Sequence, residues 1–165
     1  MNFKLRPFTF DDITSVVVYG NNKQIAQYMM DTFPNPYYET NAHKFIEMTM
    51  NESPIRIFAI DINDEAVGAI GIHPQQDIFR KNAELGYWLG QSFWGKGVMT
   101  AAINQMIVYG FTHFDITRIF ARPFSNNPGS QRVLEKTGFK LEARLEKTIL
   151  KNGEYLDELI YSIRK

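Results

Sequence analysis

A strand, a glycine-bearing turn, a long helix and a second strand follow one another between Ala83 and Phe124, and chain geometry leaves few ways to close such a run. Ala83 to Leu89 reads as strand. Gly95 to Phe114 carries the longest helical pattern of the chain, with Val98, Ala102 and Met106 on one face and Ile103 and Ile107 beside it. Thr117 to Phe124 is the second strand, ended by Pro123 and the polar run Ser125-Asn126-Asn127-Pro128-Gly129. A strand, a helix and a strand in this order make a parallel crossover, which is right-handed in nearly every case.

The remaining segments attach to that unit through turns. Phe3, Leu5 and Phe8 with polar residues between them predict a short first strand. Thr9-Phe10-Asp11-Asp12 is a helix start whose Asp side chains are available to cap free N–H groups. Apolar positions continue to about Met30, and Asn21-Asn22 divides them into two helices. Phe33-Pro34-Asn35-Pro36-Tyr37 is a loop, because two prolines exclude regular helix. Glu39 to Met50 has Ala42, Phe45, Ile46 and Met50 at helical spacing, and Ile55 to Ile60 and Ala66 to Ile72 form a hairpin about Asn63-Asp64. Gly129 to Lys136 is a helix stopped by Gly138. Phe139 to Ile149 and Glu154 to Ile163 are strands joined by Lys151-Asn152-Gly153, and Asn-Gly is a strong hairpin signal. The expected fold class is therefore α/β (α+β): one domain over residues 1–165, with a mixed, mostly antiparallel sheet and helices on both faces.

Composition narrows the function. Basic and acidic residues balance at 18 each, without the basic excess of a nucleic-acid binder. No nucleic-acid partner is expected. The chain has no cysteine, which removes disulfides, thiolate metal sites and a Cys nucleophile together. Met1 to Pro7 holds no apolar run ahead of its charges, so no signal peptide is expected. No stretch approaches the roughly 20 apolar residues that span a bilayer. A soluble cytoplasmic protein with no membrane partner is the expectation.

The chemistry lies in the turn. A helix N-terminus carries free N–H groups and partial positive charge, which suits an anion. Gly95 and Gly97 let backbone approach a phosphate closely, and Lys96 adds a mobile positive charge. A phosphate-bearing ligand is the expectation. Gly90 with Gly95-Lys96 also matches the first part of a nucleotide-binding P-loop, but Gly97 stands where that motif needs Ser or Thr to hold magnesium. A third reading gives the glycines only the shaping of a tight strand-to-helix turn.

The wider sequence chooses among these. The run from Ala83 to Thr100 resembles motif A of the GNAT superfamily of N-acetyltransferases. Arg118-Ile119-Phe120-Ala121-Arg122-Pro123, then Asn127-Pro128-Gly129-Ser130 and Glu135-Lys136-Thr137-Gly138-Phe139, resembles motif B. The opening Leu5-Arg6-Pro7 and the ending Asn152 to Asp157 with Tyr161 are also typical. The resemblance spans nearly the whole chain and is closest to the branch containing the ribosomal-protein N-terminal alanine acetyltransferases.

That resemblance implies acetyl-CoA as cosubstrate, lying where the fourth and fifth strands splay apart. It implies that the backbone of Tyr87, Trp88 and Leu89 pairs with the pantetheine arm and that the amides of Trp94, Gly95, Lys96, Gly97, Val98, Met99 and Thr100 surround the pyrophosphate. Asn127 and Ser130 would contact the pantetheine or thiol region, although Asn127 also suits a helix cap. Ser92 stands where the family's turn often begins with Gln or Arg, and Leu134 where several members carry a Tyr that protonates the leaving thiolate.

An ammonium of pKa about 8 to 10 must lose a proton before it attacks a thioester. Glu84 matches the general base of some GNAT members; a plain strand-end ion pair is its other reading. Ser130 is the candidate acid in place of the missing Tyr, and a thiolate with pKa about 8.5 also leaves without strong help. His43, His73 and His113 lack metal-ligand spacing, so no metal is expected. The acceptor site is expected from the loop Asp31 to Glu39, the segment Pro74 to Asn82 and the final hairpin, with Phe33, Tyr37, Tyr38 and Phe79 as walls or as packed core. The expected function is transfer of acetyl from acetyl-CoA to a primary amine, on a protein N-terminus or a small molecule, by a monomer or homodimer. The alternative is a non-catalytic acyl-CoA sensor, which Leu134 keeps open.

Overall fold

A computed structural model describes residues 1–165. Its seven strands lie in one sheet in the order β1-β2-β3-β4-β5-β7-β6. The elements run β1 (Lys4–Arg6), α1 (Ile13–Gly20), α2 (Lys23–Ala26), α3 (Glu39–Met50), β2 (Ile57–Ile62), β3 (Glu65–Pro74), β4 (Asn82–Leu89), α4 (Val98–His113), β5 (Arg118–Ala121), α5 (Pro128–Lys136), β6 (Lys140–Lys151) and β7 (Glu154–Arg164). The β1–β2, β2–β3, β5–β7 and β6–β7 pairs are antiparallel, while β4 and β5 are parallel. The mixed, mostly antiparallel sheet expected from the sequence is present.

The chain divides into two compact units, residues 1–71 with 87–102 and residues 72–86 with 103–165. β3, β4 and α4 each pass from one unit into the other. In the first unit, Phe8, Val16, Ile25, Tyr37, Ile46 and Trp88 belong to one buried cluster. Phe8 meets the ring of Phe45 edge-on at 5.3 Å. Three charged side chains of this unit form one linked group. The Arg6 guanidinium forks onto both oxygens of Asp12 at 2.8 and 2.7 Å, and its Nε donates to Asp61 at 2.5 Å. Asp12 and Asp61 are buried, so Arg6 is the counter-charge that lets two carboxylates leave water. Leu5-Arg6-Pro7, which in the sequence is only a typical opening, is a structural clamp.

In the second unit Ile72, Ile119, Met106 and Leu134 are fully buried. Gly110 brings α4 against β3 and β5: a Cβ there would lie 2.4 Å from Ile72 Cδ1 and 3.1 Å from Ile119 Cδ1.

Both hairpin turns agree with the sequence. Asn63-Asp64 and Asn152-Gly153 join strands through two residues of positive φ, 54° and 64° in the first, 50° and 80° in the second. That is the left-handed pair a two-residue hairpin loop requires. Several boundaries differ from expectation: β2 lies two residues later, at Ile57–Ile62, α2 ends at Ala26 rather than about Met30, and three other ends have a direct backbone reason. β1 stops at Arg6 because Pro7 has no N–H to continue a ladder. α4 begins at Val98 rather than Gly95, because positive φ at Gly95 and Gly97 is not helical. β5 ends at Ala121, since residues 122–125 are tied to β7 by isolated bonds instead of a regular ladder. Pro123 O accepts from the Leu159 N–H at 3.1 Å, and the Ser125 N–H donates to Asp157 O at 3.0 Å.

Candidate functional site

In the first unit β4 ends in a turn built from the backbone outward. Trp88 and Leu89 are buried, so their side chains belong to the core and only their backbones are available to a ligand. The Gly90 N–H donates to Val67 O at 2.8 Å, and the Trp94 indole N–H reaches back to Leu89 O at 2.7 Å. One lone pair of the Leu89 carbonyl is thereby occupied. Gly95 has φ +72° and Gly97 φ +78°, and a Cβ at either would meet nothing within 4 Å. These glycines are needed for backbone conformation and open approach, not to relieve a clash. Lys96 between them has negative φ, and such alternation turns successive N–H groups toward one concave side. The first helical bond of α4 runs from Ala101 N to Gly97 O at 3.1 Å. The N–H groups of Val98, Met99 and Thr100 therefore have no carbonyl one turn back, the arrangement that suits an anion. Residues 94–97 are exposed, and the Lys96 ammonium lies 5.7 Å from the Phe93 ring centre.

In the second unit the parallel pairing of β4 with β5 covers three residues, Asn82↔Arg118 to Glu84↔Phe120, although β4 continues to Leu89. The recorded pairing ends at Glu84, one residue short of the end of β5 at Ala121. Here the Glu84 carboxylate accepts from Arg122 Nε at 3.0 Å and from Arg122 Nη2 at 3.2 Å. Arg122 Nη1 donates to Glu158 at 3.3 Å. The ion-paired reading of Glu84 is thus realised, and Arg122 and Glu158 were not singled out from the sequence. Their signal was register: Arg122 lies two residues beyond Phe120, the register partner of Glu84, so both side chains point to one side of the sheet.

Asn127 caps α5, its Oδ1 accepting from the Ser130 N–H at 3.1 Å, with Pro128 in the first turn. Ser130 stands in that first turn and is half-buried. Leu134 is fully buried, so the face of α5 where some relatives place a Tyr is packed core here. The Tyr161 hydroxyl donates to Glu135 at 2.9 Å, and burial raises its pKa. The first unit thus holds Tyr87 to Leu89 and Trp94 to Thr100, and the second holds Glu84, Asn127 and Ser130.

The expected acceptor residues scatter. Phe33 packs edge-on against Tyr37 at 5.3 Å and Trp88 at 6.0 Å. Tyr37 is buried, which pushes its hydroxyl up to about 12. Tyr38 and Phe79 are exposed. The segment from Pro74 to Asn82 lies in the second unit, and the glycine turn after β4 in the first. His43 stacks on Phe10 at 4.7 Å and His113 on Tyr109 at 4.1 Å. No group of three or more His, Asp or Glu side chains is placed to hold a metal.

The mixed, mostly antiparallel seven-stranded sheet, with a glycine turn leading from β4 into the crossover helix α4, is a frame this chain shares with solved acetyltransferase structures. Residues 2–140 match the family described as an acetyltransferase (GNAT) domain. The chain is 30% identical to the uncharacterised N-acetyltransferase YoaA of Bacillus subtilis, over 96% of this chain and 84% of that one. It is 30% identical to the ribosomal-protein-serine acetyltransferase of Escherichia coli, over 65% of this chain and 59% of that protein. Among solved structures, the microcin C7 self-immunity acetyltransferase MccE in complex with acetyl-CoA and AMP superposes with a TM-score of 0.81 at 28% identity, covering 99% of this chain and 92% of the other. This chain belongs to the GNAT acetyltransferase family and is an acetyl-CoA-dependent acetyltransferase.

Proposed function

We propose that the protein transfers the acetyl group of acetyl-CoA to a primary amine, on a protein N-terminus or a small molecule, by direct attack. The observation that carries this reading is the cradle of amides formed by Gly95 and Gly97 of positive φ at the start of α4, within a chain of this family. Acetyl-CoA supplies an activated thioester carbonyl. The amides from Trp94 to Thr100 hold its pyrophosphate, and the Tyr87, Trp88 and Leu89 backbone aligns the pantetheine arm as an added strand would. Asn127 and Ser130 at the start of α5 steady the end that bears sulfur. The amine nitrogen bonds to the carbonyl carbon, the C–S bond breaks, and the sulfur leaves as thiolate. Glu84 takes the amine's proton through water; Arg122 engages one lone pair on each carboxylate oxygen and leaves the others available. Ser130 is the candidate proton donor to sulfur, Leu134 having no proton to give.

The relatives' names span both acceptor kinds: the Escherichia coli relative already named is a ribosomal-protein-serine enzyme, and another from the same organism is a spermidine N(1)-acetyltransferase. The two compact units act as one domain in this reading, since three elements run through both. No helix is long and apolar enough to cross a membrane; work in the cytoplasm is part of the proposal.

The decisive experiment tracks thiol release from acetyl-CoA by the purified protein against N-terminal peptides, polyamines, amino sugars and aminoglycosides. Transfer to any of them supports the reading and names the acceptor class. Coenzyme A binding without transfer to any amine would move the chain to the sensor role.

A further inference from the structure

The second unit holds three charged side chains that converge from different strands. Glu84 lies on β4, Arg122 just past β5, and Glu158 on β7. Arg122 meets Glu84 in a two-pronged pair at 3.0 and 3.2 Å and commits its remaining arm to Glu158 at 3.3 Å. Side-chain exposures are 28% for Glu84, 44% for Arg122 and 17% for Glu158. The least exposed member thus anchors the guanidinium, and the guanidinium anchors the partly exposed Glu84 carboxylate.

We infer that Arg122, held by Glu158, is a positioning residue for the proton transfer assigned to Glu84, an inference that rests on the function proposed for this site. Three observations support it. Glu84 sits where the pairing of β4 with β5 ends, so no ladder beyond it restrains that stretch of β4 against β5. A glutamate there has three rotatable bonds, and the fork of Nε and Nη2 fixes the carboxylate plane as no single-point donor does. Arg122 engages only one lone pair on each Glu84 oxygen, so the other lone pairs stay sterically open to a proton. Its own pKa is raised, chiefly by the hydrogen bond to Glu84, so it remains a cation throughout the working range. Glu158 completes the device. It is held in β7 opposite Leu145, and its strand continues alongside Pro123, whose carbonyl accepts from Leu159 N–H. The end of β5 is thereby tied to β7 on both sides of Arg122. The group oriented is the base itself, and a misplacement on the order of 1 Å costs about 100-fold in rate.

The test is a set of variants assayed with a responsive amine. Arg122→Gln is expected to lower kcat about tenfold with the KM for acetyl-CoA unchanged, and Arg122→Lys to recover less than half of that loss, because an ammonium keeps charge without the fork. Glu158→Gln falls between wild type and Arg122→Gln. Glu84→Gln alone tests the underlying reading: full activity in that variant overturns the base assignment. With Glu84→Gln impaired, the double variant Glu84→Gln/Arg122→Gln is expected to be no slower than Glu84→Gln, since Arg122 acts only through Glu84. Additive losses, or an Arg122→Gln enzyme with wild-type kcat, would overturn the positioning role while leaving Glu84 in place. Equal coenzyme A affinity in all variants checks that the fold is intact.

Discussion

At the scale of single residues, glycines in the same chain are required for opposite reasons. Gly97 has φ +78° and open space within 4 Å of where a Cβ would stand, whereas a Cβ on Gly68 would lie 2.5 Å from Trp88 O and 3.0 Å from Leu89 Cα. Gly97→Ala is expected to destabilise by only about 1–2 kcal/mol, the left-handed penalty of an L residue. Relaxing that φ turns amides away from the cradle, so coenzyme A affinity falls about tenfold or more, measurable by calorimetry. Gly68→Ala pushes backbone against backbone and is expected to lose more than about 2 kcal/mol in thermal unfolding. Arg6 makes the same point with charge. Arg6→Ala strands buried Asp12 without its counter-charge and leaves Asp61 only the Lys4 ammonium at 3.8 Å, and about 3–5 kcal/mol is the expected loss in urea unfolding. The sequence displayed both glycine patterns alike. It held the Arg6 signature as a family habit only, because the partners lie 6 and 55 residues away.

At the scale of elements, most of the chain was legible where local chemistry decides. Glu39 to Met50 is a helix over the predicted residues, Asn21-Asn22 separates α1 from α2, and Asn152-Gly153 turns the last hairpin. Less legible were segments set by distant partners, such as Arg122 to Ser125, which runs beside β7 through isolated bonds. The β6–β7 hairpin shows how such partners add strength. Glu142 on β6 accepts from Arg118 Nη2 at 2.5 Å, from the Ser162 hydroxyl and from Arg164 Nη2 at 3.0 Å. Arg118 first, and then Ser162, hold its pKa down to about 2 from an ordinary 4.5. A carboxyl whose folded pKa is depressed contributes stability above the unfolded value and loses it as pH falls through the folded one. The hairpin is therefore expected to weaken between about pH 4.5 and pH 2. For a side chain 30% exposed, screening leaves a contribution of about 1 kcal/mol. Glu142→Gln should lower the melting temperature at pH 7 and flatten its fall in that acid window.

At the scale of the whole molecule, the crossover unit and the glycine turn for which the cradle is proposed were readable together because both depend on one contiguous run from Ala83 to Thr100. The charge network around Glu84 was not, because it needs the register of three strands. The acceptor was least legible of all: Phe33 is partly buried against the core residue Tyr37, Tyr38 and Phe79 are exposed, and the aromatic composition distinguishes neither pair. The cradle gives a prediction that precedes any knowledge of the acceptor. A ligand bound only by the native state stabilises it by about 2.7 kcal/mol at a concentration of 100 Kd. In a chain of 165 residues each kcal/mol moves the melting temperature by about 2–4 °C. Coenzyme A at that excess is expected to raise it by about 5–10 °C. Dephosphorylated fragments that lack the pyrophosphate should give a small fraction of this shift, since the amides from Trp94 to Thr100 address that group. Gly97→Ala should reduce the shift for coenzyme A while lowering the melting temperature without ligand by only about 2–8 °C. An unchanged melting temperature with saturating coenzyme A would contradict the cradle itself, because binding to the native state cannot fail to stabilise it.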